Sequence, residues 1–161
     1  MKFVRTLTAL LTMSALVFSL TACGGGSDSQ KIDLDAANTA IAALTKEDGS
    51  PLFDQLALAD SDTLTQVYGL DASLLQEYAA GFSAGGDGLY LILLPNEGSE
   101  NDVKNQVKTL LDTQAQQAEL YYPETKAIID DATETIIGDY LVYVASNDNG
   151  AVTDAIEGAA Q

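Results

Sequence analysis

The strongest constraint on the fold lies in residues 132–145. Two β-rich runs, Ala132–Ile137 and Tyr140–Ala145, flank the two-residue turn Gly138-Asp139. Glycine in the first of two turn positions suits a type II′ turn, whose twist matches that of paired antiparallel strands. A chain with this hairpin has to build an antiparallel sheet around it. A second hairpin is predicted from Leu75–Ser83 and Leu89–Leu94, joined across Gly85, Gly86 and Gly88. Leu89–Leu94 is a continuous apolar run closed by Pro95, the pattern of a central strand.

Between the hairpins the period changes to that of a helix. Val103, Val107, Leu110, Leu111, Ala115 and Ala118 fall on one face, with Lys104, Lys108, Asp112 and Gln116 opposite. Ser99 and Asp102 have the spacing of a capping-box-like pair, and Glu100 and Asp102 sit where the helix dipole favours anions. The helix should stop near Tyr121-Tyr122-Pro123, because proline disfavours helical geometry in the residue before it. Shorter helices are expected over Asp35–Leu44, capped by Asp33 or Asp35, over Asp62–Tyr68, and over Ala151–Gly158. Glu124–Asp130 reads as a helical turn, and Leu52–Leu56 is ambiguous between a helical turn and a short extended piece. The predicted fold is α+β: a largely antiparallel sheet of about four strands, one long amphipathic helix packed on one face, and short N- and C-terminal helices.

The first residues read as an address. Lys2 and Arg5 form a positively charged start, and Thr6–Leu20 carries no charge. A spanning helix wants about 20 predominantly apolar residues, so this run is short for a permanent anchor and suits an export signal. It ends Leu20-Thr21-Ala22-Cys23, which resembles the bacterial lipobox. That resemblance implies transfer of a diacylglyceryl group to the Cys23 thiol and cleavage between Ala22 and Cys23. An ordinary secretory signal with a chance Cys, or a short membrane helix, are the alternatives. Cys23 is the only Cys in the chain, so disulfide scaffolds and CxxC redox sites are excluded. Two acyl chains also meet the requirement for stable anchoring, which one fatty chain does not. The chain is accordingly read as a signal over 1–22, a flexible Gly/Ser-rich tether over 23–32, and a single acidic domain over 33–161.

Removal of residues 1–22 leaves 139 residues with 5 cationic and 24 acidic side chains, a net charge of −19. Such a surface repels phosphate backbones and anionic headgroups, so nucleic acid is not expected as a partner. The expected partners are a membrane, reached through the lipid on Cys23, and a cell-envelope protein or cationic ligand. Solubility alone is the plainer explanation of the charge.

Catalytic motifs mostly fail. Gly81-Phe82-Ser83-Ala84-Gly85 matches G-x-S-x-G, but the elbow needs a strand turning into a helix and a His base. The chain has no His, and a strand follows. A Ser-Lys dyad is formally open, although none of the five lysines outside the signal lies in a partner motif. With no His and the one Cys lipidated, zinc is disfavoured. The oxygen-bearing groups that could meet Ca²⁺ are Asp60 with Asp62, Asp130 and Asp131 with Glu134, and Asn147-Asp148-Asn149. None fits the EF-hand: with Gly150 at its invariant glycine, Ile156 would stand at its bidentate glutamate. No catalytic residue, cofactor or metal is assigned. Tyr90, Tyr140 and Tyr143 are placed in sheet packing, while Tyr121 and Tyr122 are left either packed under the long helix or exposed.

From about Leu74 to Gly158 the chain resembles the domain-of-unknown-function family 4358. The carriers are Leu89–Leu94, the helix Val103–Ala118, Tyr122-Pro123, Gly138-Asp139-Tyr140-Leu141-Val142, and Asp148 ahead of the last helix. The stretch before the central strand, Gly86-Asp87-Gly88-Leu89, departs from the more acidic Asp-Glu pattern expected there. The resemblance implies a small lipobox-bearing protein of Gram-positive bacteria and transfers no catalytic residue. The function expected is that of a membrane-anchored extracytoplasmic lipoprotein, a non-enzymatic binding or accessory module of the cell envelope. The alternatives are a small carboxylate-dependent envelope hydrolase and, less favoured at this size, a capturer of cationic solutes.

Overall fold

The computed structural model describes residues 30–161. Its elements run α1 (Leu34–Ala42), β1 (Leu56–Leu58), α2 (Ser61–Gln66), β2 (Leu75–Ser83), β3 (Gly88–Pro95), α3 (Glu100–Glu119), α4 (Pro123–Asp130), β4 (Thr133–Ile137), β5 (Tyr140–Ser146) and α5 (Asn149–Glu157), with a short 3₁₀ turn over Ala72–Leu74. The α+β class and the long helix are as expected. The sheet is antiparallel in every pairing and its order is β1-β2-β3-β5-β4. The crossover through α3 and α4 therefore carries the chain from β3 past the site of β5 to the edge, and β5 returns between them.

Two details differ from the sequence reading. The strands number five, because the ambiguous segment after Leu52 supplies β1, which pairs Leu56 with Ser83. Helices also cover both faces of the sheet. On one face Tyr90, Ile92, Tyr140, Val142 and Val144 pack with Ala37 and Ile41 of α1 and Val152 and Ile156 of α5. On the other, Leu89, Leu91, Leu93, Leu141, Tyr143 and Ala145 pack with Val103, Val107 and Leu110 of α3 and Ile129 of α4. Alternate side chains of β3 and β5 point to opposite layers, so two-sided burial requires an unbroken apolar run. Each fully buried large aliphatic side chain in these strands contributes about 1.5–3 kcal/mol.

The hairpins follow their glycines. Gly138 has φ +59° while Asp139 keeps a negative φ, the pattern of a II′ turn rather than of an I′ turn. Gly88 opens β3 at φ +119°, and a Cβ there would stand 1.8 Å from the Ala145 carbonyl oxygen. Helix starts are set by aspartates. Asp33, Asp60 and Asp148 accept hydrogen bonds from the backbone N–H groups of Ala36, Thr63 and Ala151 at 3.0, 2.8 and 3.0 Å. Ser99 does not form the expected capping box: its backbone is already helical, at φ −94° and ψ −2°, and its side chain makes no capping bond. An N-cap oxygen reaches the first turn from an extended backbone, which Ser99 lacks. α3 ends at Glu119, with Leu120 as its C-cap, before Tyr122-Pro123, and Pro123 begins α4.

Candidate functional site

Cys23 and Ala22 lie outside the described residues. The structure does show where the chain joins the domain. Lys31 and Ile32 are already folded: Ile32 is 1% exposed and bridges Ala160. Lys31 N–H donates to the Gln161 carbonyl at 3.1 Å, and Gln161 N–H donates back at 2.9 Å. The Lys31 ammonium reaches Glu77 Oε1 at 3.1 Å, and Tyr140 Oη donates to Glu77 Oε2 at 2.9 Å. The Lys31 and Tyr140 hydrogen bonds hold the Glu77 carboxyl below its ordinary range. Burial, aided by that carboxylate, pushes Tyr140 up to about 12. Gln30 lies against the β4–β5 turn, its carbonyl oxygen 2.3 Å from where a Cβ on Gly138 would stand.

The G-x-S-x-G segment occupies the other end of the sheet. Gly81–Ser83 finishes β2, and a turn leads to β3, so Ser83 sits on no strand-to-helix elbow. The Ser83 hydroxyl donates to the Asp54 carbonyl at 2.5 Å and approaches Asp87 Oδ2 at 3.4 Å. Asp87 also accepts from the Lys46 ammonium at 2.8 Å and from Asp54 N–H at 2.9 Å. Burial raises the Asp87 carboxyl, but Lys46 and these donors more than offset it and its pKa is lowered. The hydrogen bond from Lys46 to Asp87 in turn raises the lysine. A Ser-Lys dyad needs a neutral amine at the hydroxyl. Here the amine is held charged and turned to a carboxylate, so the cluster serves to pin residues 46–54 to the β2–β3 turn.

Five of the eight other oxygen-bearing side chains are also engaged. Asp60 and Asp148 cap helices, Asp130 pairs with Lys126, and Glu134 pairs with Lys104. Asn149 accepts from Ser146 N–H at 2.8 Å and donates to the Asp131 carbonyl at 2.8 Å. Among the described residues no group of three or more His, Cys, Asp and Glu side chains is placed to hold a metal ion. The carboxyl groups whose pKa shifts, at Asp48, Asp60, Asp71, Glu77 and Asp87, are all lowered. The hydrolase reading requires an acid shifted upward in a cleft, and these shifts run the other way. Tyr90, by contrast, is fully buried and raised to about 12 by that burial, with its hydroxyl donating to Asn38 Oδ1 at 2.8 Å.

The four larger concave surfaces are open and similar in size. One of about 530 Å³ is lined by Lys31, Ile32, Asp33, Leu34, Glu77 and Gln161. Another of about 510 Å³ lies between α3 and β4, lined by Lys104, Lys108, Leu111, Ala115, Glu134 and Tyr143. Burial and the Glu134 carboxylate raise the Tyr143 hydroxyl at its floor. Electrostatically the surface is one-sided. All five lysines among the described residues are engaged, with Glu77, Asp87, Glu100 and Glu134, Asp112, and Asp130. No helix among the described residues is long and apolar enough to cross a membrane.

Sequence reasoning did not find the pairs Lys46–Asp87 and Glu77–Tyr140. Their members stand 41 and 63 residues apart, and no local spacing announces such contacts. For Tyr121 and Tyr122 it left two positions open, and the structure places both rings at the surface.

No curated protein and no solved structure matches the chain. A family model, that of a domain of unknown function (DUF4358), matches residues 53–146. The match begins just before β1, earlier than the resemblance drawn from the hairpins and the long helix, and it closes with β5. It takes in all five strands and the crossover helices that fix their order, and on that match the chain belongs to the DUF4358 family.

Proposed function

We propose that this protein is a lipid-anchored extracytoplasmic lipoprotein whose acidic α+β domain is a non-enzymatic binding or accessory module of the cell envelope. One observation carries the reading: Leu20-Thr21-Ala22-Cys23 follows a charged start and an uncharged apolar run, and supplies the only Cys of the chain. Family membership is consistent with it, since the resemblance implies lipobox-bearing proteins. The nature of the partner is drawn from charge. With every lysine among the described residues already paired, the described surface offers carboxylates and no spare cation. It suits a cationic envelope protein or ligand and disfavours anionic ones.

Replacement of Cys23 by Ser tests the anchor. The wild-type chain should take up labelled fatty acid, lose residues 1–22 and fractionate with membranes. Cys23→Ser should take up no label and accumulate uncleaved or be released. A Cys23→Ser chain that is processed and membrane-bound like the wild type would overturn the lipobox reading.

A further inference from the structure

Among the described residues six large apolar side chains are strongly exposed, and three of them are consecutive: Leu120 at 80%, Tyr121 at 77% and Tyr122 at 66%. They form the corner where α3 gives way to α4. The backbone there is fixed. Tyr121 and Tyr122 N–H both donate to the Ala118 carbonyl, at 3.2 and 2.7 Å, and Lys126 N–H donates to the Tyr122 carbonyl at 3.0 Å. Pro123 sets the first turn of α4, and Ala118 is buried. The three side chains are thus presented by a rigid helix corner and belong to neither core layer. They bury little of their surface in the fold, and contiguous exposed apolar surface with a polar rim marks an interaction site. Tyrosine offers a large amphipathic contact at low entropic cost, and a fixed backbone lowers that cost further.

The corner sits at a defined end of the molecule. Thr125 Oγ1 lies 2.8 Å from where a Cβ on Gly86 would stand, which places the start of α4 at the β2–β3 turn. Gln30 lies at the β4–β5 turn. The register pairs Gly88 with Ser146 and Leu93 with Leu141, so these turns are at opposite ends of the sheet, about 20 Å apart at 3.3 Å per residue. The corner therefore faces away from the point where the chain leads back to Cys23.

Charge selects the occupant. Glu119 and Glu124, both exposed, flank the three residues, and the nearby Lys126 is paired with Asp130. A second copy of this chain would set Glu119 and Glu124 against their own kind, and anionic headgroups would meet the same repulsion. Lysine or arginine on a partner gains both the carboxylates and the tyrosine faces. We infer that the Leu120–Tyr122 corner is the docking surface for a basic amphipathic protein segment, in which lysine or arginine is interleaved with apolar residues. The inference deepens the envelope-module reading and rests on it only for the corner's facing away from the membrane.

The test is a fluorescence-anisotropy titration of the full-length protein, in detergent, with labelled twelve-residue peptides of about equal length and apolar content. One is built from Arg and Leu, one from Glu and Leu, and an oligolysine serves as the charge-only control. The Arg/Leu peptide should bind and the Glu/Leu peptide should not. Tyr121→Ala with Tyr122→Ala should weaken Arg/Leu binding about tenfold or more, the scale of an interface anchor, with an unchanged circular-dichroism melt. Glu119→Gln with Glu124→Gln should weaken it less and flatten its salt dependence. Equal affinity in the tyrosine variant, or oligolysine binding as tightly as Arg/Leu, would overturn the proposal. So would concentration-dependent dimerisation, or binding to phosphatidylglycerol vesicles, that the tyrosine substitutions abolish. None of these readouts depends on acylation of Cys23, so the two readings fail separately.

Discussion

Replacing Asp87 with Ala removes the acceptor at the centre of the cluster that holds residues 46–54 to the β2–β3 turn. Two strong hydrogen bonds are lost, from Lys46 Nζ at 2.8 Å and Asp54 N–H at 2.9 Å. The Ser83 contact at 3.4 Å counts for little, because that hydroxyl already donates to the Asp54 carbonyl. Hydrogen bonds to a charged group contribute about 1.5–3 kcal/mol each. The Lys46 side chain is 32% exposed and recovers part of its loss from water, so the expected cost is about 2–3 kcal/mol after that discount. Against a total stability of about 5–15 kcal/mol, that is a large displacement of a urea midpoint at unchanged slope. Asp87→Asn keeps an acceptor for Asp54 N–H and should cost about half as much. The pH dependence has a fixed sign. The Asp87 pKa is lowered in the fold, so its stabilisation is present above the unfolded value of about 3.9 and is lost as pH falls through the folded value below it. The Lys46 pKa is raised, so its stabilisation is present below its unfolded value of about 10.4 and is lost as pH rises through the folded value above it. The pair should act as a plateau between these limits, and Asp87→Asn should flatten the acid side. A loss below about 0.5 kcal/mol in Asp87→Ala, the range of ordinary surface changes, would refute the reasoning. An unchanged acid limb in Asp87→Asn would do the same.

Two contrasts test the fold more broadly. Leu91→Ala opens a cavity at a fully buried position of the central strand and should cost about 2–5 kcal/mol. Ile136→Ala, on the exposed side of the edge strand, should stay within about 0.5 kcal/mol, and equal urea midpoints for the two would contradict the layer assignment. Gly88→Ala sets a Cβ 1.8 Å from the Ala145 carbonyl oxygen and should abolish accumulation of folded protein, judged by soluble yield and circular dichroism. Gly98→Ala has a similar positive φ but nothing within 4 Å, so it should show only the backbone cost of about 1 kcal/mol.

The parts of this fold that were legible in the sequence are those written in local spacing. The Gly138-Asp139 hairpin, the pairing of Leu75–Ser83 with β3 and the face of α3 all depend on periods of a few residues, and all were read correctly. β1 stayed ambiguous, read over Leu52–Leu56 as either a helical turn or an extended piece, because three residues carry no usable period. Burial of both sheet faces was underread although its signal was present. Leu89–Leu94 and Tyr140–Ala145 do not alternate with polar residues, as a one-sided sheet would require. The helices that cover the second face, α1 and α5, are nine residues each and looked peripheral. Ser99 carried the right residue type for a cap but sits in helical backbone, a conformation set by the turn at Asn96–Gly98 and not by its own preference. Of the candidate sites, Cys23 is read from a linear pattern alone and lies outside the described residues. The Asp87 cluster and the Glu77–Tyr140 bond were not legible, because topology brings their members together from distant positions. The tyrosine corner was half legible: Pro123 announces the helix stop, and no local period says which way the rings face.

The pairing of every lysine among the described residues also bears on how long such a domain survives proteases. Trypsin-like proteases cut after Lys or Arg, and beyond Arg5 this chain has no Arg and only five Lys. Lys104, Lys108 and Lys126 lie within helices, Lys46 is clasped by Asp87, and Lys31 is stitched to Gln161. Cleavage needs a segment that opens locally and a basic side chain free to enter an acidic pocket. Between Lys46 and Lys104 no such cut point exists, and that stretch holds β1, α2, β2 and β3. None of the five strands carries a cut site, so a basic-specific protease can enter only at these clasped or helical lysines, and the opening of those segments is the quantity that sets the domain's lifetime against such enzymes.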